Sequence, residues 1–304
     1  MVRTKLCAIV VLGLFLVACA SDEPSVQPTS SPTQTVPAVT IDDCTTNAGT
    51  QQPAAPKNVD YKTQLVKQGE LSVGSDNAYP PFEEIRPGAT EPVGFDVDIY
   101  KEVAERLGLT AKSTTTDFAA LFTQSIPRGQ FDVGVSAITI KEERKRTVDF
   151  TVPYFEANLS MAVNVTKTPD IKTVDDLAGT TIGVQDGTTG ADCADALVKQ
   201  GKAKEVKRFD TTILAFDDLV AGGVQSVIND RPASEGIIAQ KRPTIEVVQI
   251  LETNEKYGFA ISKEKPDLRV AIDGALRAMM EDGTYATIYK TWFKTDPPFD
   301  VPIE

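Results

Sequence analysis

Four stretches of the chain carry chemistry that a folded core does not need. Arg144 lies in the run KEERKR, five residues after Thr139. Thr188 and Thr189 fill the turn DGTTG, just ahead of a helical stretch. Asp230 closes the strand-like run VQSVIND. Tyr79 and Phe82 flank two prolines in LSVGSDNAYPPFE. A guanidinium holds a carboxylate through two parallel hydrogen bonds. Backbone N–H groups at a helix start carry partial positive charge and favour anions. A carboxylate at a strand end can hold a cation, and strand ends are where ligands gather in α/β proteins. Each stretch also has a plainer reading. Arg144 can be one more solvated cation, the GTT turn an ordinary helix entry, Asp230 a strand terminator, and Tyr79 a core aromatic beside a turn.

Composition narrows the chemistry. The 304 residues suffice for one large or two medium domains, and 41% are hydrophobic, as a packed core requires. There is no histidine, which excludes a Ser-His-Asp or Cys-His nucleophile and any imidazole metal site. The net charge of -12 argues against nucleic acid as a partner.

The N-terminus reads as a targeting segment. Arg3 and Lys5 precede the apolar run Leu6 to Ala18, which has the length of a signal-peptide core. Leu16-Val17-Ala18-Cys19 resembles the lipobox of bacterial lipoproteins. That resemblance implies a signal peptide over 1–18 and lipidation of Cys19, holding the protein outside the cytoplasm on the cell membrane. Residues 19–57 are rich in Ser, Thr, Pro and Gln and contain no aromatic, so they are expected to form a flexible tether, pinned at most near Cys44. Cys7 leaves with the signal and Cys19 is committed to lipid. The remaining thiols, Cys44 and Cys193, are expected to pair in an oxidising compartment.

The elements that must position these residues alternate in type. LSVG is a first strand. VDIYKEVAERLG places Val97, Tyr100, Val103, Ala104 and Leu107 on one helical stripe. DFAALFTQSI predicts a second helix and FDVGVSAI a strand. Thr139-Ile140-Lys141-Glu142 fits a capping box that opens a short helix through Arg146. A second α/β set begins near residue 160: a short capped helix from Thr173 to Leu177, a strand from Thr181, helices from Ala191 and Phe216, and a strand from Val224. GFAI and two helices ending at Trp292-Phe293 then resemble material of the first set again. A chain that leaves one lobe and returns to it makes a two-strand hinge, which permits closure around a ligand.

The ordered series GSDNAYPPFE, VGFDVDIYKEVAERLG, TDFAALF, FDVGVSAITIKEERKRTVDFTVPY, DDLAGTTIGVQDGTTG, YGFAISK and DGTYATIYKTWF resembles the polar amino-acid solute-binding proteins of ABC importers, over about residues 69–293. The resemblance implies an α/β fold of two lobes in the type II periplasmic-binding-protein arrangement, with lobe 1 over 58–159 and 254–304 and lobe 2 over 160–253. It implies one free L-amino acid as ligand, an ABC permease and its ATPase as partners, a monomer, and no cofactor or metal. Arg144 becomes the carboxylate clamp, with Thr139, Thr188 and Thr189 adding donors. Asp230 and the carbonyl of Ala137 take the ammonium. Tyr79 and Phe118 cover the ligand from two sides, with the prolines stiffening the Tyr79 loop. Ser136 touches either the ligand or only its own loop. Asp76 reads the distal end of the ligand side chain, with Glu83 and Gln185 adding to that preference, so a polar or basic ligand such as glutamine, arginine or lysine is expected. Phe82, Asp96 and Asp98 are expected to be structural. An alternative is an enzyme resembling cyclohexadienyl dehydratases, which share the fold and need a general acid in the cleft.

Overall fold

A computed structural model describes residues 36–44, 60–240 and 242–300. The targeting segment, Cys19 and most of the expected tether lie outside the described residues. Among the described residues no helix is long and apolar enough to cross a membrane.

Two sheets organise the chain. The first has five strands, in the order Thr110–Thr115, Glu70–Ser75, Val133–Gly134, Ala260–Ile261 and Asp149–Phe150. Its first three strands run parallel, and Ala260–Ile261 lies antiparallel between its neighbours. The helix Phe95–Arg106 buries Val97, Tyr100, Val103 and Ala104 in the same core as Leu71 and Val73, so the stripe read from the sequence is the packed face. Pro266 starts the helix Pro266–Glu281, where its missing N–H costs nothing, and Leu268, Ile272, Leu276 and Met279 join that core. Phe82 is wholly buried, edge-on to Phe95, Phe155 and Tyr257. Burying such a ring contributes about 2–3 kcal/mol, which anchors the loop that carries Tyr79.

The second sheet has six strands, in the order Ala38–Val39, Ile245–Tyr257, Phe155–Asn164, Ser226–Asp230, Thr181–Gln185 and Glu205–Phe209. Helices Thr189–Lys199 and Thr212–Ala221 start on threonine caps: Thr188 accepts from the Ala191 N–H and Thr211 from the Leu214 N–H. The strands Phe155–Asn164 and Ile245–Tyr257 pair antiparallel along their length and reach into the first lobe, where Phe155 and Tyr257 are core residues. These two strands are the hinge expected from the sequence.

Four local expectations need correction. Ala38–Val39 is an edge strand paired with Ile250 and Leu251, and Ile41 and Cys44 are buried, so docked chain extends well before residue 58. The polar average of 19–57 concealed the short apolar run VPAVTI. A Cys44–Cys193 disulfide fastens this segment to the helix Thr189–Lys199. The Thr139 capping box does not form. A single 3-10 turn, Arg144–Arg146, follows Glu143, while the Thr139 hydroxyl donates to Glu255 and Glu142 pairs with Lys145. The box lacks its return bond, because the Glu142 carboxylate turns to Lys145 and not back to the Thr139 N–H. The second helix shortens to Phe118–Ala120 followed by a wide turn, Leu121–Ser125, and FDVGVSAI supplies only Val133–Gly134 as strand. The residues after Gly134 leave the sheet to form the floor of the crevice.

Candidate functional site

The eleven residues singled out as a site in the sequence line one small cavity. The lobes meet around it. Gln185 donates to Asp76 at 2.9 Å, Arg144 donates to the Gly187 carbonyl at 3.0 Å, and Lys141 pairs with Asp192 at 2.6 Å.

Arg144 is buried and rigidly aimed. Its Nη1 donates to the Thr139 carbonyl at 2.8 Å, five residues back, which fixes the side chain against its own loop. The guanidinium lies over the Phe122 ring at 4.4 Å and the Phe118 ring at 5.3 Å. Phe118 thus covers the cation as well as walling the cavity. Burial pulls the Arg144 pKa down, against the opposing charges of Glu255, Asp192, Asp230 and Glu143. Its buried Nε has no hydrogen-bond partner among the described residues, so donor capacity remains for an anion.

Asp230 stands at the end of its strand, in the second lobe. Tyr257 Oη lies 2.7 Å and Tyr79 Oη 2.8 Å from its Oδ2. Tyr79 Oη is also 2.8 Å from Asn229 Oδ1, so its one proton chooses between two acceptors. Burial raises the Asp230 pKa, while the two phenols and Arg144 oppose the rise. Tyr79 is half of a bridge between lobes as well as an aromatic wall.

Asp76 is the distal carboxylate. Burial raises its pKa to about 6, Gln185 opposes that, and Asp117 adds to it. Gln185 is itself held by Thr212, which donates to its Oε1 at 2.8 Å. The Ser136 hydroxyl is engaged within its own surroundings, donating to Glu83 and accepting from the Asp76 N–H. Glu83 is wholly buried behind Ser136 and is not a cavity residue, so it does not read a ligand directly as the sequence suggested. Ala137 has φ 45°, a conformation that costs energy outside glycine. Asp96 holds it there by accepting the Ala137 N–H at 2.7 Å, and also accepts from Tyr154 at 2.9 Å. Asp98 accepts from the Trp292 indole at 2.7 Å, so both acids of GFDVD are structural.

Thr188 spends its hydroxyl on the helix cap and on the Gln185 carbonyl at 2.8 Å. The hydroxyls of Thr139 and Thr189 converge on Oε2 of Glu255. Glu255 and Tyr257 are absent from the sequence expectations. In the sequence LETNEKY, Thr253 and Glu255 share the parity of Leu251 and Tyr257, and the strand buries all four. Burial raises its pKa to about 8; Asp230 adds to the rise, and Thr139, Thr189 and Arg144 oppose it.

Comparison with known proteins bears on this geometry. The family described as bacterial extracellular solute-binding proteins, family 3, matches residues 71–295. An arginine-binding protein of an ABC transporter from Escherichia coli strain K12 is 32% identical over 232 residues, covering 74% of this chain and 90% of the relative. The L-cystine-binding protein TcyJ of the same strain is 28% identical over 233 residues, covering 77% and 86%. Among solved structures, an ancestral arginine-binding protein bound to arginine superposes with a TM-score of 0.70 at 34% identity, covering 74% of this chain and 99% of that one.

Proposed function

Because the chain belongs to the bacterial extracellular solute-binding proteins, family 3, we propose that it captures one free polar or basic L-amino acid between its lobes and delivers it to an ABC permease with its ATPase. The observation that carries this reading is the placement of Arg144 and Asp230 on opposite lobes of one cavity. A zwitterion fits that pair: its carboxylate against the guanidinium, its ammonium against the strand-end carboxylate and the Ala137 carbonyl. Tyr79 and Phe118 cover the side-chain stem, and Asp76 with Gln185 meets its far end. Three buried acids, Asp76, Asp230 and Glu255, stand in or beside the crevice that holds Arg144. That balance favours a ligand carrying an extra positive charge, and two of the similar proteins above are named for arginine.

Asp230 is tied to two phenols, which suits holding a cation more than delivering a proton, so capture is favoured over a dehydratase reaction. The protein acts as a monomer outside the cytoplasm, anchored through lipid on Cys19. The deciding experiment is a thermal-shift screen against the twenty amino acids, with prephenate and arogenate assayed in parallel for product. Stabilisation by arginine, lysine or glutamine is the expected result. No stabilisation by any amino acid, or turnover of either acid, would overturn the reading.

A further inference from the structure

Glu255 sits where the lobes and the hinge meet. Its strand, Ile245–Tyr257, is one of the two that join the lobes. Its Oε2 accepts the Thr139 hydroxyl from the first lobe and, at 3.1 Å, the Thr189 hydroxyl from the second. Thr253, on the same strand, reaches Oε1 at 3.4 Å. The carboxyl is wholly buried. The charged groups that face it are Arg144, from the 3-10 turn of the first lobe, and Asp230, at the strand end of the second. From the paired hinge strand, Glu156 faces Lys256 at 3.7 Å. Lys256 alternates with Glu255 along the strand, so its ammonium lies on the opposite side.

We propose that Glu255 is a positioning residue that couples lobe closure to site assembly: one carboxyl oxygen gathers a hydroxyl from each lobe and so aligns Thr139 and Thr189 beside Arg144. The inference rests on the capture function proposed above, because those hydroxyls flank the clamp for the ligand carboxylate. It goes further by assigning a residue outside the eleven that line the cavity. When the lobes part, Thr189 and Thr139 separate and one acceptor can no longer serve both. Closure and hydroxyl alignment are therefore one event.

The arrangement makes closure sensitive to protonation. Closure buries Glu255 beside Asp230, which disfavours its charged form. An acid whose pKa is raised in the closed form takes up a proton on closing, so closure is favoured as pH falls. The window runs from the ordinary glutamate range, about 4–5, up to about 8 in the closed form. Glu255→Gln keeps an oxygen acceptor and removes the titration. Glu255→Ala removes the acceptor.

The test measures L-arginine affinity by calorimetry between about pH 5.5 and 7.5 for the wild type and Glu255→Gln, taking their ratio at each pH so that other titrating groups cancel. The ratio should fall by up to roughly tenfold per pH unit for a single linked proton. X-ray scattering of the wild type and Glu255→Ala without added amino acid should show a larger radius of gyration in the variant. A flat ratio together with an unchanged radius overturns the proposal. If L-arginine fails to bind the wild type, the capture reading is what fails. Scattering then still decides this inference, an expanded Glu255→Ala upholding it and an unchanged one overturning it.

Discussion

Tyr79 of the first lobe and Asp230 of the second meet across the crevice, with the phenol oxygen 2.8 Å from the carboxylate Oδ2. The contact joins an aromatic wall to a charged anchor, so one residue serves both packing and closure. Tyr79→Phe keeps the ring and deletes the bridge. A hydrogen bond to a charged group is worth about 1.5–3 kcal/mol. Tyr257 still serves Asp230 in the variant. The expected loss of amino-acid affinity in calorimetry is therefore at the low end, roughly tenfold. Unchanged affinity would mean that the phenol adds nothing beyond its ring.

Arg144→Lys keeps the charge but not the fork. The wild-type side chain reaches the Thr139 carbonyl and the Gly187 carbonyl at once, with Nε unpartnered among the described residues. An ammonium is a point charge and cannot reproduce that planar spread or its packing over Phe118 and Phe122. Affinity should fall by about 2–5 kcal/mol, the range for disrupting a buried charge pair. Arg144→Ala should cost at least as much. Titration calorimetry of either variant with wild-type affinity would remove Arg144 from the clamp role.

Asp76 gives a pH signature that distinguishes basic from neutral ligands. Its pKa is raised to about 6, chiefly by burial. A guanidinium or ammonium placed opposite it would draw that value down, so binding would release a proton. Affinity for L-arginine should then rise with pH across roughly pH 4 to 6 relative to Asp76→Asn, and level off above it. For L-glutamine the same comparison should be nearly flat. Without ligand the sign for fold stability is opposite: the charged form is disfavoured when buried, so the contribution of Asp76 falls as pH rises through the same window. Equal profiles for arginine and glutamine would show that Asp76 does not face the ligand side chain.

What the sequence disclosed and what it hid follow from the range of each interaction. The alternation of strands and helices, the stripe of Phe95–Arg106 and the strand-end position of Asp230 are local patterns, and local patterns survive in a linear string. A cap four residues long is the partner that the sequence offers the Thr139 hydroxyl, because that cap is nearby in the chain. Its actual partner, Glu255, is 116 residues away. Ser136 and Glu83, 53 residues apart, form a similar buried pair. The docking of Ala38–Val39 on Leu251 and its neighbours was lost in the polar average of its surroundings. In each case the deciding contact is between distant segments, and only the fold sets which polar groups are left to satisfy one another.

Gly236 tests closure without touching a ligand group. It lies within the helix Arg231–Ala239 of the second lobe, and a Cβ placed there would meet Pro81 Cδ at 2.6 Å and the Pro80 carbonyl oxygen at 2.8 Å. Those atoms belong to the stiff loop of the first lobe, which has little freedom to retreat. In an isolated second lobe, Gly236→Ala should favour the helix by about 0.8–1 kcal/mol. When the lobes close, the same methyl group collides with the proline loop. The variant should therefore keep or gain thermal stability in the absence of amino acid while losing affinity, by roughly tenfold or more if about 1.4 kcal/mol of strain is incurred. A fall in stability with affinity retained would mean that this contact supports the fold alone and plays no part in closing the lobes.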